Sequence, residues 1–173
     1  MDILDIIRQR RSIREYKQDI PQDVYIEKIL EAGRWAPSGL NNQPWRFLVI
    51  KDKAKKNGLA KFTKTEYART IRSAPVILVV CFDIADCYNR DKDLMSIGAC
   101  IQNMLLEAHA IGLATCWMGE IINKKDKMIK YLKLNEDLEV MAVITLGYSD
   151  EDITQGCRKP LSSLRIESKS LYS

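Results

Sequence analysis

Seven consecutive apolar residues, Val76 to Phe82, lie between Pro75 and Asp83. A run with no polar position leaves no face for water, which is consistent with a buried central strand. The rest of the chain has to be read around that strand. The run is the longest apolar stretch in the sequence and falls far short of the roughly 20 residues that span a bilayer. The start, Met1-Asp2-Ile3-Leu4-Asp5, carries acids where a secretory leader carries bases. The expectation is a soluble, cytoplasmic protein with no membrane partner.

Around the apolar run the periodicities alternate between helix and strand. Ile3, Leu4, Ile6 and Ile7 recur at helical spacing behind Asp2, a candidate N-cap, and predict a short amphipathic helix over 2–11. A second helix is expected from Pro21 to near Trp35. Breakers fill Ala36 to Pro44, and Trp45 to Lys51 reads as a strand. Residues 53–72 are charged and read as helical in pieces. Leu94, Ile97, Gly98, Ile101, Met104, Leu105, Ala108, Ile111 and Gly112 predict one long helix whose small residues suit close packing on another helix. Ala114–Met118 and Glu139–Leu146 read as further strands, with a short basic helix over 124–133 between them. After Gly147 the apolar pattern fades. At 173 residues the chain is expected to form one domain, with a loosely packed tail. Strands interleaved with helices allow α/β or α+β.

The scarce residue types narrow the chemistry. His109 is the only histidine, which excludes a multi-histidine zinc site, and no metal is expected. Its place between Ala108 and Ala110 reads as structural. The five cysteines form no C-x-x-C pair and read as reduced thiols. Lys and Arg number 27 against 23 Asp and Glu, a net charge of +4, too small to imply nucleic acid. No G-x-x-x-x-G-K-[ST], G-x-G-x-x-G or G-x-S-x-G motif occurs.

Four segments carry groups suited to binding. Arg8, Arg10, Arg11, Ser12 and Arg14 place four guanidinium groups and a hydroxyl within seven residues, which fits a phosphate and equally fits a solvated helix end. Ala36-Pro37-Ser38-Gly39-Leu40-Asn41-Asn42-Gln43-Pro44-Trp45 offers three side-chain amides, a hydroxyl and a glycine, suited to a heterocycle edge or a polyol, or simply to a turn. Thr115-Cys116-Trp117-Met118-Gly119-Glu120 closes a strand, where ligands often gather. Arg158-Lys159-Pro160-Leu161 is a second basic point in the tail.

Taken in order, these segments resemble the nitroreductase family of FMN-dependent oxidoreductases. The resemblance rests on Arg10-Arg11-Ser12-Ile13-Arg14, Ala36-Pro37-Ser38 through Asn41, Gln43-Pro44-Trp45 and Phe47. It continues through Gly98-Ala99, Gln102-Asn103-Met104, Ala108, Gly112-Leu113, Thr115-Cys116-Trp117 and Arg158-Lys159-Pro160-Leu161. It implies an α+β, three-layer fold with a central, mostly antiparallel sheet flanked by helices, working as an intertwined homodimer. The long helix would be the dimer core, and the tail over 148–173 would pack on the partner subunit. Arg10, Arg11, Ser12, Arg14 and Arg158 would hold the phosphate and ribityl chain of FMN. Pro37, Ser38, Gly39, Asn41 and Gln43 would reach the same flavin from the partner subunit, and the backbone at Trp117, Met118 and Gly119 would lie by its ring.

The implied activity takes hydride from NADH or NADPH and reduces nitroaromatic, quinone or related small acceptors by a ping-pong route. No side chain is assigned a catalytic role, since the flavin is the redox group. A dehalogenase or dehydrogenase of the same fold, or a non-catalytic FMN-binding protein, would carry the same motifs. Between Asp83 and Leu94 the connection is short where some relatives insert helical material over the flavin. Lys61, Lys64 and Arg69 find no family match.

Overall fold

The computed structural model describes residues 2–152 and 156–166. Its elements are α1 (Ile3–Gln9), α2 (Asp23–Arg34), β1 (Trp45–Ile50), α3 (Lys53–Leu59), α4 (Thr65–Ser73), β2 (Val76–Asp83), α5 (Arg90–Ala110), β3 (Ala114–Met118), α6 (Lys125–Leu132) and β4 (Leu138–Gly147). The strands form one sheet in the order β1-β2-β4-β3, and every pairing is antiparallel. The α+β alternative is therefore the correct one.

Strand alternation divides the sheet into two faces. Ile77, Val79 and Cys81 of β2, with Val140 and Val143 of β4, face α3, α4 and α6. Val76, Leu78, Val80 and Phe82, with Ala142, Ile144 and Leu146, face α2 and α5. The apolar run is central because both its faces are covered. A bulge shifts the alternation of β4 by one residue while β2 keeps its own: Val80 pairs Ala142 and Cys81 pairs Val140, so Met141 is the extra residue and Val140 shares a face with Val143.

Several element ends differ from the sequence reading. Asp2 holds the N-cap position of α1, yet its carboxylate makes no capping bond. None of the α1 residues is buried, so its apolar stripe of Ile3, Leu4 and Ile7 faces outward. Residues 53–72 do form helix in pieces, α3 and α4 joined by a 3₁₀ turn at Ala60–Phe62.

The close helix packing expected of α5 is present but comes from the other helix. Gly33 of α2 is the small residue at the contact, where an added Cβ would stand 2.7 Å from Met104 Cγ and 3.1 Å from Cys100 Sγ. Gly98 of α5, by contrast, faces open space. Residues 153–155 and 167–173 of the expected tail lie outside the described residues.

Candidate functional site

Residues 10–14 leave α1 and run along the free edge of β3. Ile13 N donates to Thr115 O at 2.9 Å, and Ser12 bridges Thr115 in parallel. Tyr16 anchors this segment from below. Its buried hydroxyl donates to Ile13 O at 2.6 Å and lies 2.7 Å from Thr145 Oγ1 on β4. Burial pushes the Tyr16 phenol far above its ordinary range, so it stays a neutral donor.

The segment separates two clefts. On one side a pocket of about 160 Å³ is lined by Arg10, Arg11, His109, Thr115, Ser149 and Glu151, among others. On the other, a pocket of about 140 Å³ is formed by Arg14, Thr63, Tyr67 and the stretch from Cys116 to Ile121. The first is polar and basic; the second is walled by Trp117, Met118 and the backbone of Gly119.

The basic pocket gathers charges that do not neutralise one another. Arg10 is half-buried, and among the described residues it makes no side-chain hydrogen bond or ion pair. Burial lowers its pKa, and the guanidinium groups of Arg11 and Arg158 lower it further. Arg158, far away in sequence, is therefore brought beside Arg10 and Arg11. The tail crosses Arg11 closely, since a Cβ on Gly156 would stand 2.4 Å from its guanidinium. Arg11 Nη1 donates to Arg8 O and Arg10 O, and Arg14 Nη1 donates to Ser12 O. Glu151 is the one acid in the lining, and its Oε2 accepts from the backbone N–H groups of Arg14 and Glu15. The thiol of Cys116, raised by burial, interacts with Ser12.

The amide loop is built differently. Leu40, Asn41 and Gln43 all have left-handed backbone, at φ 54°, 56° and 49°. Such a cluster of non-glycine residues is costly and persists only when its surroundings hold it. Ser38 Oγ accepts from Gln43 N at 3.1 Å and closes the loop on itself. Asn42 Nδ2 donates to Asp86 O and to Asp93 Oδ1, at 2.9 and 3.0 Å, which ties the loop to the first turn of α5. Asp93 is fully buried and also accepts from Tyr88 N and Asn89 N. Gly39 lies under the Tyr88 ring, whose nearest carbons would be 2.9 Å from an added Cβ. Pro37 and Asn41 are exposed.

The fold places Arg10 and Arg11 in one cleft, with Arg158 near Arg10, and Arg14, Trp117, Met118 and Gly119 in the cleft on the other side of the segment that carries Ser12. It leaves Pro37, Ser38, Gly39, Asn41 and Gln43 elsewhere. The amide loop enters β1 at Trp45, which pairs Phe82, whereas Ser12 bridges β3 at Thr115, level with Leu146 and Val76. That is three strand spacings across the sheet and six residues along it, roughly 14 Å by about 20 Å. The two groups occupy diagonally opposite corners of the sheet.

Sequence reading missed Thr63 and Tyr67, which reach the second cleft from the 3₁₀ turn and α4. Lys64, unassigned from sequence, lies 3.8 Å from Glu120 Oε1. Asp93 and His109 also escaped notice as site groups. Only a long-range fold places any of these, and none carries a local motif.

A family model described as the nitroreductase family matches residues 7–70 and 60–148. The chain belongs to the nitroreductase family. A relative described as an NADH dehydrogenase/NAD(P)H nitroreductase of Methanothermobacter thermautotrophicus is 32% identical over 161 residues, covering 88% of this chain and 80% of its own. A Desulfovibrio desulfuricans structure described as a nitroreductase in complex with FMN superposes with a TM-score of 0.90 at 44% identity, covering 96% of each chain. An NADPH:FMN oxidoreductase from Vibrio harveyi, solved with NAD⁺, gives 0.85 at 25% identity over 96% of this chain and 77% of its own. The nitroreductase-family fold implied by the sequence motifs is thus the fold present.

Proposed function

We propose that this chain is an FMN-dependent oxidoreductase that draws hydride from NADH or NADPH and reduces small acceptors such as nitroaromatics or quinones. The observation that carries the reading is the trio of Arg10, Arg11 and Arg158. Arg10, whose proton affinity is lowered by burial and by the neighbouring Arg11 and Arg158, lacks any counter-ion among the described residues, and such a cluster of guanidinium groups fits a phosphate group. Beside them, the cleft at Trp117–Gly119 offers an apolar wall and free backbone that fit a flat ring.

FMN, when bound, would supply the two-electron hydride chemistry. The protein's share is placement and electrostatics. Arg10, Arg11 and Arg158 would hold the phosphate, Ser12 and Arg14 the ribityl chain, and the backbone around Trp117, Met118 and Gly119 would orient the ring. The positive charge of Arg14 at the same cleft favours an electron-rich ring. The cleft at Trp117–Gly119 would admit donor and acceptor in turn, which is the ping-pong order.

The site would be completed by a second copy of the chain. Pro37, Ser38, Gly39, Asn41 and Gln43 stand at the far corner of their own sheet, too distant to share a ligand with their own Arg10. In an intertwined homodimer they would meet the partner's arginine segment. Support comes from the apolar surface that a lone chain exposes, with Ile3 69%, Trp35 72%, Met95 74% and Leu40 81% accessible, and from the open face at Gly98. Contrary to the expectation for the whole tail, residues 148–151 and 156 pack on their own chain's residues 11–17, and only the stretch beyond Arg158 would then lie on the partner.

Anaerobic mixing of the FMN-loaded protein with NADH or NADPH tests the reading. Loss of the oxidised-flavin absorbance within seconds is expected, followed by its return on adding a quinone. A protein that takes up FMN but does not bleach is a binding protein instead. A protein that takes up no FMN refutes the proposal entirely.

A further inference from the structure

His109 lies in the last turn of α5, in the wall of the basic pocket it shares with Arg10 and Arg11. Its Nε2 is shut off from solvent and has no hydrogen-bond partner among the described residues. A buried ring nitrogen left unpaired is unfavourable, and native structures pair such atoms with few exceptions. The charged neighbours do not resolve it, because Arg10 and Arg11 line the same pocket and hydrogen-bond to it in neither direction. A ligand that accepts from all three would satisfy the site.

We infer that His109 is a further ligand of the phosphate group received by Arg10, Arg11 and Arg158, and that it donates to that phosphate in its protonated form. The inference rests on the proposed flavin function and adds to it a group that no motif marks. It also changes the reading of the chain's single histidine from packing residue to binding residue.

The charges around the ring decide its protonation. Arg10 and Arg11 face it from the end of α1, Arg158 approaches Arg10 from the tail, and Glu151 comes from the segment after β4. Glu151 is held by the backbone N–H groups of Arg14 and Glu15. Glu107, on the same helix, lines a separate groove along α2 with Val24 and Glu31. Without an anion the ring is therefore disfavoured as a cation; burial lowers its pKa first, and Arg10 and Arg11 lower it further. A phosphate dianion offsets that positive charge and, accepting directly from the ring, favours the imidazolium, as do the carbonyls ending α5. Binding then takes up a proton.

The chain's only histidine makes the test clean. FMN dissociation constants are measured by fluorescence quenching from pH 8.5 to 5.5 for the wild-type protein and His109→Asn, with riboflavin as the phosphate-free control. The variant's FMN affinity is expected to fall behind the wild type's as pH drops, to roughly tenfold weaker at pH 6. Riboflavin affinity should be the same in both. The comparison with His109→Asn removes the titration of the FMN phosphate itself. In parallel, the lone histidine ¹³C resonance should show its titration midpoint moving upward when FMN is added. A pH-independent ratio, an equal loss for riboflavin, or a midpoint that stays put or falls would overturn the inference while leaving the flavin reading intact. A wild-type protein that binds no FMN overturns both.

Discussion

Asp93→Ala tests how the amide loop is held. The Asp93 carboxylate is 0% exposed and accepts three hydrogen bonds, from Tyr88 N at 2.9 Å, Asn89 N at 3.0 Å and Asn42 Nδ2 at 3.0 Å. Alanine removes the acceptor and leaves the donors. Asn42 keeps its bond to Asp86 O, so its loss is small. The two part-buried backbone N–H groups lose a charged partner, and a hydrogen bond to a charged group contributes about 1.5–3 kcal/mol. The expected destabilisation is therefore about 3–4 kcal/mol, a large part of the roughly 5–15 kcal/mol that keeps a domain folded. Urea unfolding of the FMN-free protein reads it directly, as a lowered midpoint at unchanged slope.

The same substitution releases Asn42 and with it the left-handed residues Leu40, Asn41 and Gln43, so FMN affinity should fall as well. A loss under about 1 kcal/mol would show that solvent reaches the vacated acceptor site, and would refute Asp93 as the clamp. The pH behaviour follows from the same bonds. Burial alone would raise the Asp93 pKa, but hydrogen bonds from Asn42, Asn89 and Tyr88 outweigh it and hold the carboxyl below its ordinary range. Its stabilising contribution is thus present above the ordinary carboxylate pKa. It is lost only as pH falls through the lowered folded value.

Glu139 binds Arg90 through both oxygens, at 2.9 and 2.8 Å, and Lys125 at 2.6 Å, and these cations hold its carboxyl down to about 2. Stability from this group should be full above pH 4.5 and fade toward about pH 2, so Glu139→Gln should flatten the acid limb of a circular-dichroism unfolding profile over that window. Tyr16→Phe removes the hydroxyl that ties residue 13 to β4, and about 1–2 kcal/mol of stability should go with it in urea, with FMN binding weakened through the adjacent arginines. Arg10→Ala removes a charge-assisted phosphate contact worth roughly 1.5–3 kcal/mol, so FMN affinity should fall while riboflavin affinity holds. In mixed dimers pairing one Arg10→Ala chain with one Asn41→Ala chain, one of the two flavin sites should stay intact; equal damage at both would contradict shared construction.

What the sequence makes legible here is local periodicity and punctuation. Val76–Phe82, the alternation entering at Trp45 and the long stripe of α5 each specify their element with neighbours only a few residues away. The polar members of the site are legible only where they cluster, as in Arg10-Arg11-Ser12 and in the amide loop. Asp93 looks like any first-turn helix acid until Asn42, 51 residues earlier, is found bonded to it. Thr63 and Tyr67 fall in a charged stretch with no motif, and only α4 packing on the sheet brings them to Trp117. The stripe of α5 foretells a close helix contact but not which helix carries the glycine, since Gly33 and Gly98 are equivalent as letters and opposite in environment.

The strand order gives a physical reason for building the site from two chains. β2 is apolar at all seven positions of its run, and β4 is buried from Ala142 to Gly147, so these two strands need neighbours on both edges as well as on both faces. They occupy the middle of the sheet, which leaves β1 and β3 as its edges. The amide loop leads into β1, and the arginine segment runs along β3. Once the core strands are placed centrally, the two polar groups are carried to opposite edges, and the antiparallel register sets them at opposite ends as well. Changing side chains within either group cannot close that gap. Moving the edge strands would, but only by uncovering the apolar run from Val76 to Phe82.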